Sequence, residues 1–291
     1  MSAPDPAPES AGETPERTVP TGTRLFFHAV AAIVRPSLNL AVGKTWRGAD
    51  QLPDGGFIGV ANHVTELDPL AVAHAVYRTG RTPHFLAKDS LFRVRGLGGV
   101  LRGLRQVPVA RGTRDGGASL EAAHEVLRFG GAVLVYPEGT LTRDPQMWPM
   151  RSKTGAARLA LKTGYPLVPI TQWGVHELLG RYAKLPRPFP RKHYTLQFGE
   201  AIDLSDLRQR PVSRTTLQAA TTRIEEALTA GVAALRGEEP PEQIWDPAED
   251  AYVPRRHDAG STPGSGQASE TSQAPQAPQA RQAPDAQEGS D

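Results

Sequence analysis

A histidine and an aspartate stand five positions apart, directly after a short apolar run. His63 and Asp68 follow the apolar residues 57–61, and Pro69 comes next. Residues five apart point about 140° apart around an ideal helix, so these two side chains cannot meet on one helical face. They can meet if His63 lies in a turn and a helix begins at Asp68, with proline in its first turn. The pattern predicts a general base and the carboxylate that orients it.

Each of these two residues also has a simpler interpretation. An aspartate before a proline is a favourable helix N-cap, and a single histidine after a strand is often incidental. The two roles of Asp68 are compatible, because one carboxylate oxygen can cap the helix while the other faces His63. The pair together therefore favours catalysis more than either residue alone.

Polar clusters follow three of the apolar runs. Their members are Asn62, His63, Asp68, Arg111, Glu138, Gly139 and Thr140. In an open α/β sheet ligands gather beyond the carboxyl ends of the strands, so these clusters predict one shared cleft. The Arg111 guanidinium can bind a phosphate with two parallel hydrogen bonds, and Gly139 permits close approach to the backbone. The alternative for residues 138–140 is an ordinary turn.

Apolar runs alternate with helical patterns through most of the chain. Strand patterns occur at residues 57–61, 83–87, 106–110, 132–136, 167–171 and 194–198. Helical patterns occur at residues 69–77, 119–129, 153–163 and 212–235. This alternation predicts an α/β fold with a central, mostly parallel or mixed sheet flanked by helices. The run at 132–136 is apolar throughout, which indicates a central strand.

Charge divides the chain into three segments. Residues 1–20 carry −3 and residues 237–291 carry −8 of a total of +2, which leaves +13 on residues 21–236. We expect one folded domain over residues 21–236 between disordered ends, because the Gln-Ala-Pro-rich tail has too little apolar surface to offset the entropy of ordering. A basic domain suits anionic lipid headgroups or phosphorylated small molecules. Nucleic acid is not expected as a partner, since the basic stretch 78–114 lacks interleaved aromatic residues for stacking.

The run from Leu25 to Val34 is the longest apolar stretch near the start of the chain. It is too short to span a bilayer, which requires about 20 residues. It predicts either an interfacial helix, with Arg24 and Arg35 at the headgroups, or a core helix of the domain. The acidic, proline-rich start does not resemble a signal peptide. The chain has no cysteine, which excludes disulfides and thiol nucleophiles and is compatible with the cytoplasm.

Four blocks follow one another in an order that resembles a known family. They are residues 62–69 (NHVTELDP), 107–111 (VPVAR), 136–140 (YPEGT) and 167–170 (LVPI). In this order they are similar to the glycerolipid acyltransferases, whose 1-acyl-glycerol-3-phosphate acyltransferases share four such blocks. The resemblance covers roughly residues 27–235. It departs from the family pattern at Thr65, where serine is usual.

The resemblance implies a role for each matching residue. His63 would take the proton of a glycerol hydroxyl and Asp68 would hold its imidazole, while the hydroxyl attacks an acyl thioester on coenzyme A or acyl carrier protein. No covalent acyl-enzyme, metal or other cofactor is implied. The implied contacts to the phosphorylated acceptor are Asn62, Arg111, Glu138, Gly139, Thr140 and Lys153. The implied lining of the acyl-donor side is Val168, Pro169 and Ile170.

The implied function is synthesis of phosphatidic acid from lysophosphatidic acid, at the cytoplasmic face of the cell membrane and without spanning it. Three alternatives remain open. In the first, the chain is an acyltransferase whose acceptor is another lysophospholipid or lipid alcohol. In the second, it is a membrane-binding protein without catalysis, docked through its basic face. The third is a metal-dependent hydrolase that uses His63, Asp68, His84 and Glu138, although their spacing matches no standard metal-ligand pattern.

Overall fold

The structure is a computed structural model that describes residues 22, 25–29, 32, 42–109 and 116–256. Its strands are β1 (Val42–Arg47), β2 (Phe57–Ala61), β3 (Pro83–Lys88), β4 (Val107–Val109), β5 (Ala132–Val135), β6 (Leu167–Trp173), β7 (Lys192–Phe198), β8 (Gln243–Asp246) and β9 (Ala251–Pro254). Its helices are α1 (Asp68–Arg78), α2 (Leu97–Gly103), α3 (Gly116–Arg128), α4 (Gly155–Thr163), α5 (Val175–Leu178), α6 (Ser205–Arg208) and α7 (Arg214–Arg236). Two short 3-10 turns lie at Ala49–Gln51 and Asp89–Arg93.

Strands β1 to β7 form one mixed sheet in the order β1-β7-β6-β2-β5-β3-β4. The five strands from β6 to β4 in this order run parallel to one another. Strand β7 is antiparallel to β6 and parallel to β1, so the two strands at this edge run in the opposite direction. The mixed sheet with helices between its strands confirms the predicted α/β fold.

Apolar side chains cover both faces of the sheet. In the central strand β2, Ile58 and Val60 pack into a cluster with α3, α4 and α7, while Phe57 and Ala61 pack into a second cluster with α1. Every residue of β2 and β5 is buried. Burial on both faces explains why these strands are continuously apolar instead of alternating with polar residues.

The register brings the carboxyl ends of the central strands to the same edge of the sheet. Val60 of β2 pairs with Val135 of β5, and Ala61 pairs with Ile170 of β6. The residues that follow β2 and β5 therefore leave the sheet side by side. We call this side of the sheet the carboxyl edge. The polar clusters at residues 62–68 and 138–140 both lie there, as their positions after strands predicted.

A hairpin follows the predicted end of the domain. Strands β8 and β9 pair antiparallel, with Ile244 opposite Val253. Ile244 is 2% exposed, and the backbone N–H of Arg151 donates to the carbonyl of Trp245 at 2.9 Å. The expectation of disorder from residue 237 is therefore wrong for residues 237–256. The prediction used the average composition of the whole acidic tail, which does not reveal that one short segment has enough apolar residues to pack. The segments expected to be disordered at 1–20 and 257–291 lie outside the described residues.

The described part of the N-terminal apolar run is helical at residues 25–29. Phe27 is buried, with its ring 5.5 Å from that of His84 and 6.4 Å from that of Tyr77. Leu25 is 69% exposed. Phe27 thus occupies a core position, as expected if this run is a core helix of the domain. Residues 30, 31, 33 and 34 lie outside the described part. In that part, each helix is too short or too polar to cross a lipid bilayer.

Candidate active site

The turn after β2 is attached to β6 through an asparagine side chain. The Asn62 amide nitrogen donates to the carbonyl of Gln172 at 3.0 Å, and its oxygen accepts from the Gln172 backbone N–H at 2.9 Å. Asn62 is 1% exposed. This side chain was predicted to contact the acceptor, but the structure uses it to extend the pairing of β2 and β6 by one step. Its effect is to fix the backbone from which His63 projects.

His63 and Asp68 meet as the spacing predicted. His63 Nδ1 lies 3.1 Å from Asp68 Oδ2, and the two side chains are 15% and 0% exposed. The same Oδ2 also accepts the backbone N–H groups of Val64 at 2.6 Å and Thr65 at 2.9 Å. An oxygen with these neighbours acts as an acceptor, so Nδ1 carries the hydrogen and Nε2 keeps its lone pair. An imidazole in this tautomer can accept a proton at Nε2.

The expected helix cap at Asp68 is not formed. Helix α1 begins at Asp68 with proline in its first turn, as predicted, but no side chain caps it. The carboxylate turns back toward the preceding turn and is occupied by Val64, Thr65 and His63. Burial raises the pKa of Asp68 above its ordinary value, although the bond and charge of His63 and the two backbone bonds lower it. The carboxylate therefore orients the histidine and shapes the turn.

An aromatic ring covers one face of the histidine. The rings of His63 and Tyr136 are stacked, with centroids 4.0 Å apart and planes inclined by 20°. Phe85 stacks on the same tyrosine, at 5.9 Å. Desolvation raises the pKa of the Tyr136 phenol well above its ordinary value, so this ring stays neutral. No role for Tyr136 is predicted from its sequence position, because an aromatic residue at the end of an apolar strand is typical of a core.

Glu138 binds backbone on two sides of the site. Its Oε1 accepts the backbone N–H of His63 at 3.3 Å, and its Oε2 accepts that of Met150 at 3.1 Å. The residue is 1% exposed, and desolvation raises the pKa of its carboxyl well above the ordinary value. The prediction that Glu138 contacts the acceptor is replaced by a positioning role, because both oxygens are engaged inside the protein.

A lysine side chain lies against the turn at residues 136–139. Gly139 has a φ of +74°, and its N–H donates to the carbonyl of Tyr136 at 3.0 Å. A Cβ added there would lie 3.0 Å from Lys153 Nζ, so the lysine side chain lies directly against the glycine. The backbone N–H of Lys153 donates to the carbonyl of Pro137 at 2.9 Å. Thr140 and Lys153 are both exposed, and the predicted acceptor contacts Gly139, Thr140 and Lys153 thus lie together at this turn.

The predicted phosphate ligand Arg111 lies outside the described residues. The strand that precedes it is present, since β4 ends at Val109. Val109 pairs with Lys88, the last residue of β3, in a parallel ladder. Strand β4 therefore ends on the carboxyl edge, as the sequence predicted.

The block predicted to line the acyl-donor side lies in the core. Val168, Pro169 and Ile170 are all buried within β6, between β2 and β7. The side chain of Ile170 packs against Gly59, and that of Pro169 packs against Gly199. A strand buried on both faces has no open surface for an acyl chain. These three residues therefore do not line a donor site through direct contact, as the resemblance implied.

His84 is separated from His63 by the length of a strand. His84 pairs with Val133, which pairs with Ile58 near the amino end of β2, whereas His63 follows the carboxyl end. The His84 ring contacts the Arg105 carbonyl and the Thr82 hydroxyl, each at 3.0 Å. A cavity of about 220 Å³ beside it also lies at the amino ends of β3 and β4. A metal site built from His63, Asp68, His84 and Glu138 is therefore excluded by distance along the sheet.

One family model matches the chain. It is described as acyltransferase and matches residues 44–173. This segment contains the turn at 62–68, the turn at 136–140 and Lys153.

Several curated proteins similar to this chain are named 1-acyl-sn-glycerol-3-phosphate acyltransferase. A chloroplastic 1-acyl-sn-glycerol-3-phosphate acyltransferase of Brassica napus is 30% identical over 160 residues, which are 54% of this chain and 45% of that protein. The 1-acyl-sn-glycerol-3-phosphate acyltransferase of Borreliella burgdorferi is 31% identical over 158 residues, which are 53% of this chain and 60% of that protein. The chain thus spans about half the length of the curated relatives it matches.

A solved structure has the same fold. The crystal structure of the 1-acyl-sn-glycerophosphate (LPA) acyltransferase PlsC from Thermotoga maritima superposes with a TM-score of 0.55. The match covers 75% of this chain and 83% of that chain, at 23% identity.

Proposed function

We propose that the chain is an acyltransferase of the family whose model matches residues 44–173, and that it acylates the free hydroxyl of 1-acyl-glycerol-3-phosphate. The acyl group comes from a thioester of coenzyme A or acyl carrier protein, and the product is phosphatidic acid. The observation that carries the proposal is the bond of 3.1 Å between His63 Nδ1 and Asp68 Oδ2 at the carboxyl edge. The names of the relatives supply the acceptor and the reaction.

His63 is the general base of the proposed reaction. Its Nε2 takes the proton of the acceptor hydroxyl as the oxygen attacks the thioester carbonyl. A carbon–oxygen bond forms and the carbon–sulfur bond breaks. The proton then passes from Nε2 to the departing thiolate, so the histidine returns to its starting state. No metal or further cofactor is part of this scheme.

Asp68 and Glu138 hold the base in place. Asp68 fixes the tautomer and stabilises the imidazolium that forms during proton transfer. Glu138 binds the backbone of the same histidine, and Tyr136 limits rotation of its ring. Residues locked in this way do not have to reorganise when the reaction occurs, which is the main source of catalytic advantage in such sites.

The acceptor phosphate is bound by cations on the carboxyl edge. Lys153 lies against Gly139, in the turn that follows β5 next to β2. Arg111 follows β4 and supplies the second cation of the proposal, with Thr140 as a hydroxyl donor. Guanidinium and ammonium groups are the usual ligands of a phosphate monoester.

We place the enzyme on the cytoplasmic face of the cell membrane as a peripheral protein. Donor and acceptor both carry acyl chains, so the reaction takes place where lipids are available. The charge of +13 on residues 21–236 supports binding to anionic lipid.

Kinetic assay of the purified full chain tests the function. With lysophosphatidic acid and an acyl thioester we expect turnover that falls by about 10²–10⁴-fold in His63→Ala, since general-base catalysis contributes that much. Arg111→Ala raises KM for the acceptor more than it lowers kcat, because ground-state binding of the phosphate is weakened.

Two outcomes contradict the proposal. Full activity in His63→Ala would show that His63 is not the general base. A preference of the wild-type chain for an acceptor without a phosphate would show that lysophosphatidic acid is not its substrate. His124→Ala is the matched control, because this histidine lies on α3 and not in the candidate site.

A further inference from the structure

The segment that follows α5, on the way from β6 to β7, exposes large apolar side chains to solvent. We call residues 180–191 the β6–β7 loop. Its Phe189 is 87% exposed, its Leu185 is 79% exposed and its Tyr182 is 63% exposed. Phe189 and Leu185 are the most exposed large hydrophobic residues in the part of the chain that the structure describes. Apolar groups that are exposed together in this way mark an interaction site more often than chance.

Basic residues are interleaved with these apolar side chains. The cations of the loop and the residue that follows it are Arg181, Lys184, Arg187, Arg191 and Lys192. No acidic residue occurs between Glu177 and Glu200. Aromatic and aliphatic side chains flanked by lysine and arginine are the composition that binds the boundary between headgroups and acyl chains.

The base of the loop is attached to the candidate active site. The Thr65 hydroxyl donates to the carbonyl of Leu179 at 2.7 Å. The Arg181 guanidinium donates to the carbonyls of Thr142 at 2.8 Å and Asp144 at 2.7 Å. Thr65 lies in the turn between His63 and Asp68, and the N–H of Thr142 donates to the His63 carbonyl at 2.7 Å. The loop and the catalytic pair therefore share one edge of the sheet.

Further bonds hold the loop at its middle and at its last residue. The backbone N–H of Arg187 donates to the carbonyl of Leu178 at 2.6 Å, and the Arg191 guanidinium donates to the carbonyl of Val42 at 3.3 Å. Leu178 and Leu179 are buried, with 5% and 8% exposure. The fold anchors the loop backbone at Arg187 and leaves the side chains of Leu185 and Phe189, on either side of it, exposed to solvent.

We propose that the β6–β7 loop docks the enzyme on an anionic bilayer. Leu185 and Phe189 enter the boundary between headgroups and acyl chains, while Lys184 and Arg187 contact lipid phosphates. Docking through this loop turns the carboxyl edge, with His63, toward the membrane that holds the acceptor. The advantage of this orientation rests on the function proposed above, whereas the docking itself does not.

An acidic carrier protein is the competing partner for a basic loop. A carrier would be bound mainly through charge pairs, which leave two large apolar side chains without a role. A bilayer uses both properties, because it offers anionic phosphates and an apolar layer a few ångströms below them. The combination of exposed phenylalanine and leucine with lysine and arginine therefore favours lipid.

Vesicle sedimentation with the full chain tests the proposal. The probes are vesicles of pure phosphatidylcholine and vesicles with equal parts of phosphatidylcholine and phosphatidylglycerol. Leu185→Ser/Phe189→Ser is expected to bind both vesicle types at least tenfold more weakly than the wild type. Lys184→Gln/Arg187→Gln is expected to lose about fivefold per cation on anionic vesicles and little on neutral ones.

Matched controls lie at the amino ends of the strands, away from the loop. Val212→Ser removes an apolar residue that is 43% exposed before α7. Lys162→Gln/Arg214→Gln removes two cations, from α4 and α7. These controls should bind both vesicle types like the wild type. Loop variants that bind like the controls would overturn the proposal.

Two further measurements separate the possible explanations. If the loop variants keep vesicle binding but lose binding to acyl carrier protein, the loop is a protein-docking surface and the lipid proposal is wrong. In an assay with short-chain substrates free in solution, the loop variants should retain the wild-type kcat. A wild-type chain that binds vesicles through the loop but transfers no acyl group would refute the proposed function and leave the docking surface intact.

Discussion

The imidazole of His63 is held by several independent contacts. Asp68 binds its Nδ1 at 3.1 Å, and the Tyr136 ring stacks on its face at 4.0 Å. Its backbone N–H donates to Glu138 at 3.3 Å, and its carbonyl accepts from Thr142 at 2.7 Å. The first two contacts restrict the ring and the last two hold its backbone. None of the four uses Nε2. In the proposed reaction, the base is therefore in position before a substrate arrives.

Replacing Asp68 by asparagine should separate catalysis from folding. With its oxygen at the position of Oδ2, the asparagine still accepts the N–H groups of Val64 and Thr65. It lacks the negative charge that stabilises an imidazolium, so kcat should fall by about 10²-fold or more. Because the variant also avoids the cost of burying a charge, its Tm should remain within a few degrees of the wild type.

Steady-state kinetics and circular dichroism melting check this expectation. Asp68→Ala serves as the comparison, since it also removes the acceptor of the backbone N–H groups and should unfold at a clearly lower temperature. An asparagine variant with undiminished kcat would show that the carboxylate has only a structural role.

Glu138 should link stability to pH. Desolvation raises its pKa well above the ordinary value of 4.5, so the folded state holds this proton more tightly than the unfolded chain. The stability from the protonated group is fully present below about pH 4.5 and is lost as pH rises through the folded pKa. Glu138→Gln lacks this titration, and it loses one of the two backbone acceptors. The wild type should therefore exceed the variant in Tm most at about pH 4.5, and by less at about pH 8.

Thermal unfolding at a series of pH values measures this difference. Glu121→Gln on α3 is the control, because its carboxyl is exposed and its removal should give a small difference at every pH. A Tm difference for Glu138→Gln that widens with rising pH would contradict the assignment.

At the scale of elements, the loops of the carboxyl edge hold one another through backbone hydrogen bonds. The segment 142–153 contacts the turn after β2 through Thr142, and the turn after β5 through Met150 and Lys153. The β8–β9 hairpin in turn supports this segment. Arg151 donates its backbone N–H to Trp245 at 2.9 Å, and its guanidinium lies 3.2 Å from the Asp246 carboxylate. The hairpin, this segment and the turn at residues 62–68 thus form one connected unit.

Removing the hairpin should loosen the active site from a distance. A chain that ends at residue 240 loses the burial of Ile244 and the Arg151–Asp246 pair, which should lower stability by about 2 kcal/mol or more. Because Arg151 follows Met150, which binds Glu138, kcat should fall about tenfold while KM for the acceptor changes less.

A chain that ends at residue 256 is the matched control. It keeps both strands of the hairpin and should retain the kcat and Tm of the full chain. The same kcat in chains ending at 240 and 256 would show that the hairpin does not position the catalytic turn. Kinetic assays below the Tm of the shorter chain keep unfolding apart from positioning.

At the scale of the whole molecule, the carboxyl edge combines the His63–Asp68 pair, Lys153 and the base of the exposed β6–β7 loop. The opposite edge holds the cavity beside His84. Parallel strands produce this asymmetry, because all of their carboxyl ends point the same way. The two oppositely directed strands matter as well: β7 begins on the carboxyl edge, and this places the loop before it next to His63.

By itself the sequence determined the α/β class, the strands at the centre of the sheet and the meeting of His63 with Asp68. These follow from local properties, namely apolar periodicity and a spacing of a few residues across one turn. The tail after residue 236 shows the limit of composition, since its acidic average concealed the hairpin that packs on Arg151.

Only the tertiary structure decided which polar residues of the four blocks are buried and which remain exposed at the carboxyl edge. Glu138 bonds to a residue 75 positions away and Asn62 to one 110 positions away, and both are thereby committed to the interior. The resemblance implies a substrate surface at Val168 and Ile170, but both side chains are buried in the apolar cluster that packs against α1. Burial depends on which distant segments pack together, and local spacing carries no record of that packing.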